Sequence, residues 1–434
     1  MSNLDFIELA YEHWEALLFC ISFSFICYIL IFKSWYISIL DPFVLSAVLS
    51  ACGFGVVIFL FLCNAIQLKY FVSYLLTQFA FISGMLLFNR IGFRKLKNKF
   101  YILDENKLLR IIYIIVIFSV VIIQFIIYKN IGIPLFMDSR LEASSGGSGA
   151  GLLFRFTTVW GTLALLFSFY NIEKKNKQRY IAYCFILFSI ITSILNGSKA
   201  GFWGLVTTFF LYSVICSDHI LCQIRKHEKK ILLIGIVAGS FVEFISSNDE
   251  INFIQSLIAF GERFIFSGDV YWQTYPNGYI ERIDGSRPFE TIFVDILGSY
   301  RIIPWNELPE PMGISIFRMH VDTDLLTGPN PRHNVMGYVL FGMYGSILFS
   351  FLLGAIIGTI HALFYKACDL NLLIKFLIVL SYGYIFGLEG DVSYTISLFK
   401  FRKYSNNVIK KAKEFDNSMI ITILMSPDKR YSTL

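Results

Sequence analysis

Apolar residues run almost unbroken from Leu17 to Phe32 and from Ile111 to Tyr128, and similar runs recur along the chain. A bilayer-crossing helix needs roughly 20 mainly apolar residues, whereas a membrane strand shows about ten that alternate. The runs are continuous, so helices are predicted at 14–32, 43–63, 70–88, 111–128, 150–170, 180–195, 202–216, 231–246, 335–364, 370–388 and 391–400. Lys400 cuts the last one short. The expected fold is an all-α polytopic membrane protein with about 11 (10–12) transmembrane helices. Residues 1–246 carry the first eight spans, 247–334 one large loop with short amphipathic helices, 335–400 the C-terminal spans, and 401–434 a basic tail. No small-residue cleavage site follows Met1–Phe32, so the first run reads as a permanent span rather than a signal peptide.

Composition agrees with the pattern. The 434 residues are 56% hydrophobic and 16% charged, against about 25% charged in soluble domains, and the mean hydropathy is +0.63. A soluble globule, a disordered chain and a disulfide scaffold are all excluded. Positive charge gathers in alternate loops: Arg90–Arg110, then Lys174, Lys175, Lys177 and Arg179, then Arg225, Lys226, Lys229 and Lys230, then the tail. These loops are assigned to the cytoplasm, which puts the acidic N-terminus and the 247–334 loop outside. The net charge of +6 is therefore a topology signal, and no nucleic-acid module accompanies it. The eight cysteines fall in spans or on the basic side, so neither disulfides nor a zinc site is expected. No Gly- or Pro-interrupted helix pair of the transporter kind is read from the sequence.

The large loop has an unusual charge pattern. Ser247–His333 holds Arg263, Arg282, Arg287, Arg301, Arg318 and Arg332 but no Lys. A guanidinium matches phosphate or carboxylate oxygens in pairs, and the loop's own acids are the competing partners. Ser247–Glu250 forms a capping-box pattern ahead of apolar residues at helical spacing, predicting an amphipathic helix on the membrane face. Tyr271, Trp272, Tyr275 and Tyr279 are expected as interfacial anchors. Outside the loop, Arg140 precedes a Gly/Ser run to Gly151 that is either a linker or a backbone anion cradle. Arg155 lies inside a span, a functional position by default. Lys199 sits in an Asn196–Gly201 outer turn, where a snorkelling lysine is the alternative.

The segment Gly328-Pro-Asn-Pro-Arg-His333-Asn334, followed by Gly342-Met-Tyr-Gly345, resembles the signature of the bacterial O-antigen polymerases (Wzy type) and their relatives the O-antigen ligases. Asn196-Gly-Ser-Lys-Ala-Gly201 is similar to the family's outer turn, with Lys199 where Arg is commoner. Gly261-Glu-Arg263 resembles the helix opening the family's loop. The resemblance implies a glycosyltransferase of the bacterial inner membrane with its site facing the periplasm. It would move a growing glycan from undecaprenyl diphosphate onto a lipid-linked repeat unit. It also implies no cofactor, no metal, inversion at the anomeric carbon, and a chain-length-regulating co-polymerase as partner.

Breaking a sugar–diphosphate bond develops charge that preorganised cations stabilise. Arg263 and Lys199 are the leading candidates, with Arg140, Arg155, Arg287, Arg301, Arg332 and Asn334 as further substrate ligands. His333 is the candidate general base, since its reference pKa suits neutral pH, and Glu262 and Asp269 compete. Asp322-Thr-Asp324 is a DxD triplet that would favour a metal instead. The ligase shares the motifs. A flippase is the alternative from another class, and it would place its charges at broken helices near the membrane midplane.

Overall fold

The computed structural model describes residues 1–90, 105–137, 151–196, 199–246, 252–323, 326–367 and 370–399. These residues form helices and no strand. Among the described residues seven segments are long and apolar enough to cross a membrane: Trp14–Phe32, Pro42–Leu62, Leu68–Arg90, Leu109–Phe136, Gly151–Glu173, His333–Tyr365 and Leu372–Glu389. Two further stretches expected as spans, Arg179–Leu195 and Trp203–Cys216, are shorter apolar helices. The expected span at 231–246 is the second half of a longer helix, Asp218–Ser246, whose first half carries the basic cluster.

One helix group contains α1 (Asn3–Glu12), α2 (Trp14–Phe32), α3 (Pro42–Leu62) and α4 (Leu68–Arg90). α3 starts where Asp41 accepts a hydrogen bond from the Phe43 N–H (3.0 Å) and Pro42 supplies a fixed φ at the first turn. A second group contains α5 (Glu105–Asn130), α6 (Gly151–Glu173), α7 (Arg179–Leu195), α8 (Lys199–Cys216) and α9 (Asp218–Ser246).

The segment His333–Tyr365, α14, is expected from sequence as one span but folds as a hairpin. Seventeen residues of straight helix would separate His333 from Ser350 by roughly 25 Å; instead His333 Nδ1 lies 2.9 Å from Ser350 Oγ. The reversal falls at Gly342 (φ 68°, ψ −176°), a conformation essentially restricted to glycine. The arm 333–341 therefore packs back on the arm 343–365, with Phe341 against Phe349. The longer arm lies parallel to α4. Gly354 and Gly358 sit where a Cβ would come 2.0 and 2.3 Å from the carbonyl oxygens of Phe81 and Met85, and Gly84 would meet Phe351 O at 2.3 Å. This close backbone approach is the small-residue packing of membrane helices. Its register puts His333 level with Phe81, well inside the α4 span.

α15 (Leu372–Ile385) stands between the groups, packed on α14 on one side and on α6 and α8 on the other. It breaks into a 3-10 turn, Phe386–Glu389, before a short helix at 392–399. Helix interruptions at 342 and at 386–391 thus correct the expectation of uninterrupted helices.

The segment between α9 and α14 carries α10 (Phe253–Phe266), α11 (Asp269–Thr274), α12 (Pro288–Ser299) and α13 (Met312–Arg318). α10 is the expected amphipathic helix, with Ile254, Leu257 and Ile258 exposed. Its cap is Asn252 with Gln255; the expected box at 247–250 lies outside the described residues. Three of the four aromatics expected at the interface are core instead, and Tyr279 is half-buried. Tyr271, Trp272 and Tyr275 are buried: Trp272 stacks on Phe6 of α1 at 3.8 Å, and Gly268 lets the turn approach Gly53 and Val56 of α3.

Candidate functional site

The sequence candidates divide between two places. The first is the start of α14. Arg332, at φ 38°, is buried and paired with Glu389 of the 3-10 turn (3.1 Å). Its guanidinium also donates to Ser267 O (2.9 Å) and Leu49 O (3.0 Å), and Glu389 accepts from Ser46 Oγ (2.7 Å). The Arg332 N–H donates to Gly390 O (2.9 Å), so one interrupted helix is tied to the other. Asn334 accepts from the Tyr271 hydroxyl and donates to Thr77 Oγ1, both at 2.9 Å, and to Gln78 Oε1 (3.2 Å). His333 is fully buried, stacked on Phe81 at 4.2 Å, and its Nε2 has no hydrogen-bond partner among the described residues. These three residues thus form an internal polar joint linking α3, α4, α11 and α14. Such a network holds a fold together where its members are satisfied, as Arg332 and Asn334 are here. Asp269, the competing base, lies at the edge of this region, and burial pushes its carboxyl up to about 7 against the pull of Arg332.

The second place is a partly open cavity of about 440 Å³ lined by α5, α6, α7, α8 and α15. That volume falls in the ~300–1,000 Å³ range of small-molecule sites. Its wall carries Gln124, Thr157, Thr158, Thr162, Ser189, Thr192, Ser193, Asn196, Thr207 and Thr208, with Phe185, Phe188, Tyr384 and Tyr394 among them. The lining positions on α6 and α8 are early and those on α7 late, so the cavity occupies one end of this helix group. α6 and α7 contribute hydroxyls one turn apart and α8 the adjacent Thr207 and Thr208, and glycines (Gly161, Gly201, Gly204, Gly383) leave the volume between them.

Arg155 sits one turn ahead of Thr158 on α6 and is buried. It pairs with Asp295 of α12, donates to Ser397 Oγ (2.8 Å) and Ser299 Oγ (3.1 Å), and lies over the ring of the cavity residue Tyr394 at 5.5 Å. Asp391 caps the 392–399 helix through the Tyr394 N–H (2.9 Å) and is close enough to interact with both Asp295 and Arg155. A guanidinium–carboxylate pair therefore stands beside the cavity, with the carboxylate of Asp391 at the start of the helix that carries Tyr394.

The remaining candidates lie elsewhere. Arg287 pairs with Glu290 and donates to Glu307 O, and Arg318 pairs with Glu310. Arg301 is exposed in a left-handed conformation at the end of α12, and Arg263 is exposed on α10. His320 Nε2 lies 2.7 Å from Gln273 O, and burial lowers its pKa. Arg140, Asp324 and the side chain of Lys199 lie outside the description; the Lys199 backbone opens α8, two residues before the cavity glycine Gly201.

The cavity and Asp391 escaped sequence reasoning. The signal for the cavity was present, as paired hydroxyls recurring on three apolar helices, but each pair alone reads as ordinary helix surface. No family model, curated protein or solved structure matches the chain.

Proposed function

We propose that this membrane protein is a glycosyltransferase of the O-antigen polymerase kind. It transfers a growing glycan from undecaprenyl diphosphate to the non-reducing end of a lipid-linked repeat unit, at the periplasmic face of the bacterial inner membrane. The carrying observation is the hydroxyl-lined cavity with a guanidinium and two carboxylates at its edge. A sugar needs many hydrogen-bond partners in a space shielded from water, and the departing diphosphate needs cations.

In the proposed reaction the acceptor hydroxyl oxygen attacks the anomeric carbon. The sugar–phosphate C–O bond breaks, the diphosphate keeps the electron pair, and a base takes the hydroxyl proton. Arg155 beside the cavity, together with Lys199 from the start of α8, is assigned to the diphosphate, and a charge-assisted contact is worth about 1.5–3 kcal/mol. Two such contacts supply a useful part of the ~8–23 kcal/mol that enzymes remove. Diphosphate at Arg155 displaces Asp295, freeing a carboxylate beside the acceptor. Asp295 and Asp391 are better situated as bases than His333, which is enclosed by Phe81 and Ser350. Arg332 and Asn334 support the site from a distance, and Arg140, Arg263, Arg287 and Arg301 are reserved for the outer parts of the substrate. The route runs without a metal, and a co-polymerase sets chain length.

One observation favours a second reading. Two interrupted helices meeting at a buried Arg332–Glu389 pair are a transporter-like arrangement. Purified protein in liposomes with lipid-linked repeat units separates the alternatives. A ladder of glycans is expected. Transfer only when lipid A core is supplied identifies a ligase, and translocation without any new glycosidic bond overturns the enzyme reading.

A further inference from the structure

The chemistry of the cavity wall is more specific than its polarity. Eight of its hydroxyls spend their hydrogen on a backbone carbonyl of their own helix. Thr157 and Thr158 donate to Phe154 O, Thr162 to Thr158 O, Ser189 to Phe185 O, and Thr192 and Ser193 to Ser189 O. Thr207 donates to Trp203 O and Thr208 to Gly204 O. A hydroxyl has one donor and two acceptor sites, so in this arrangement these side chains present mainly lone pairs to an occupant. The Asn196 side-chain carbonyl already accepts from Gln124 and Tyr128, and the Tyr384 hydroxyl lies between Thr158 O and Thr162 Oγ1, so the Asn196 amide is the main donor group on a wall otherwise dominated by lone pairs. Among the described lining residues none is charged.

An acceptor-rich, uncharged wall suits a ligand rich in O–H donors. It opposes an anion, whose oxygens would face lone pairs after losing their water. A bare cation fits poorly as well, because the volume is more than tenfold the ~10–15 Å³ that admits one water and Arg155 stands beside Tyr394. The glycines argue that the space itself is used. A Cβ at Gly161 or Gly204 would meet nothing within 4 Å, so neither glycine is required for helix packing.

We propose that this cavity seats an uncharged, hydroxyl-rich sugar and rejects acidic sugars such as uronates. The inference names the substrate class of the glycan-transfer reading and rests on it for the ligand's origin. The test uses full-length protein in lipid nanodiscs and saturation-transfer NMR with maltotriose and trigalacturonate as probes. Maltotriose is expected to bind roughly tenfold more tightly than trigalacturonate, although the chain's net charge of +6 would favour the anion at any merely superficial site. Binding should disappear in Gly161→Leu and Gly204→Leu, which have room for the new side chain. It should weaken about tenfold in the Thr158→Val/Thr208→Val double variant, which loses two acceptors at nearly constant volume. Unchanged elution and thermal unfolding identify folded variants. No maltotriose binding, equal binding of both probes, or undiminished binding in the filled variants overturns the inference. Chain extension assayed in parallel keeps the two claims apart. Binding without extension refutes the polymerase reading alone, and extension undisturbed by filling the cavity refutes the inference alone.

Discussion

Replacing Arg332 by alanine tests whether the joint at the start of α14 holds the fold or holds substrate. The side chain is 7% exposed and its partner Glu389 8%. Removing one member of a buried pair leaves the other charge uncompensated, at a cost of about 3–5 kcal/mol. Arg332→Ala also strands the carbonyls of Leu49 and Ser267, so the upper part of that range is expected. At 1.4 kcal/mol per decade, the folded-to-unfolded ratio falls about a thousandfold. Glu389→Gln keeps the guanidinium and a neutral acceptor, and should cost about 1.5–3 kcal/mol. The Arg332→Met/Glu389→Met double variant should recover much of the loss, because an apolar replacement of both partners removes both desolvated charges. Unfolding titrations in mixed micelles measure all three. A single-variant loss below 1 kcal/mol, or strictly additive losses in the cycle, refutes the structural account. Loss of chain extension at unchanged stability would instead make Arg332 a substrate ligand.

Other outcomes follow from the same geometry. Gly354→Leu should abolish folding, because its side chain would start 2.0 Å from Phe81 O, whereas Gly161→Ala should fold normally; yields of monodisperse protein compare them. Gly342→Ala should lower stability by about 1–3 kcal/mol, since alanine must adopt a glycine-only conformation, and a thermal scan reads the shift. Asp269, with its carboxyl raised to about 7 in the fold, keeps a proton that the unfolded chain has already released. Its contribution is complete below about pH 4, declines between about 4 and 7, and is flat above. Asp269→Asn should remove that decline from a pH series of unfolding midpoints. Chain extension should persist in excess chelator, and abolition with rescue by Mg²⁺ would overturn the metal-free route.

The sequence makes the membrane class and most helices legible because burial in lipid demands long apolar runs, and Leu17–Phe32 or Ile111–Tyr128 satisfy that demand locally. The hairpin was hidden for the same reason. Gly342 interrupts α14 within a run that stays apolar on both sides, and hydropathy carries no dihedral information. The composition of the aromatic cluster at 271–275 fits an interfacial anchor; only the packing of Trp272 on Phe6 reveals it as core. The arginines were legible as a pattern but not as pairs. Asp295 and Glu389 lie 140 and 57 residues from Arg155 and Arg332, and no spacing rule connects them. The cavity depends on what five helices leave unfilled, which no single segment records.

α15 belongs to both halves of the molecule. Val379, Leu380, Gly383 and Tyr384 form part of the cavity wall, while Tyr382 donates to Asp41 at the foot of α3 and the turn beyond ends at Glu389. One helix therefore carries both the cavity wall and the approach to the Arg332–Glu389 pair, so a substitution that shifts α15 at either place is felt at the other.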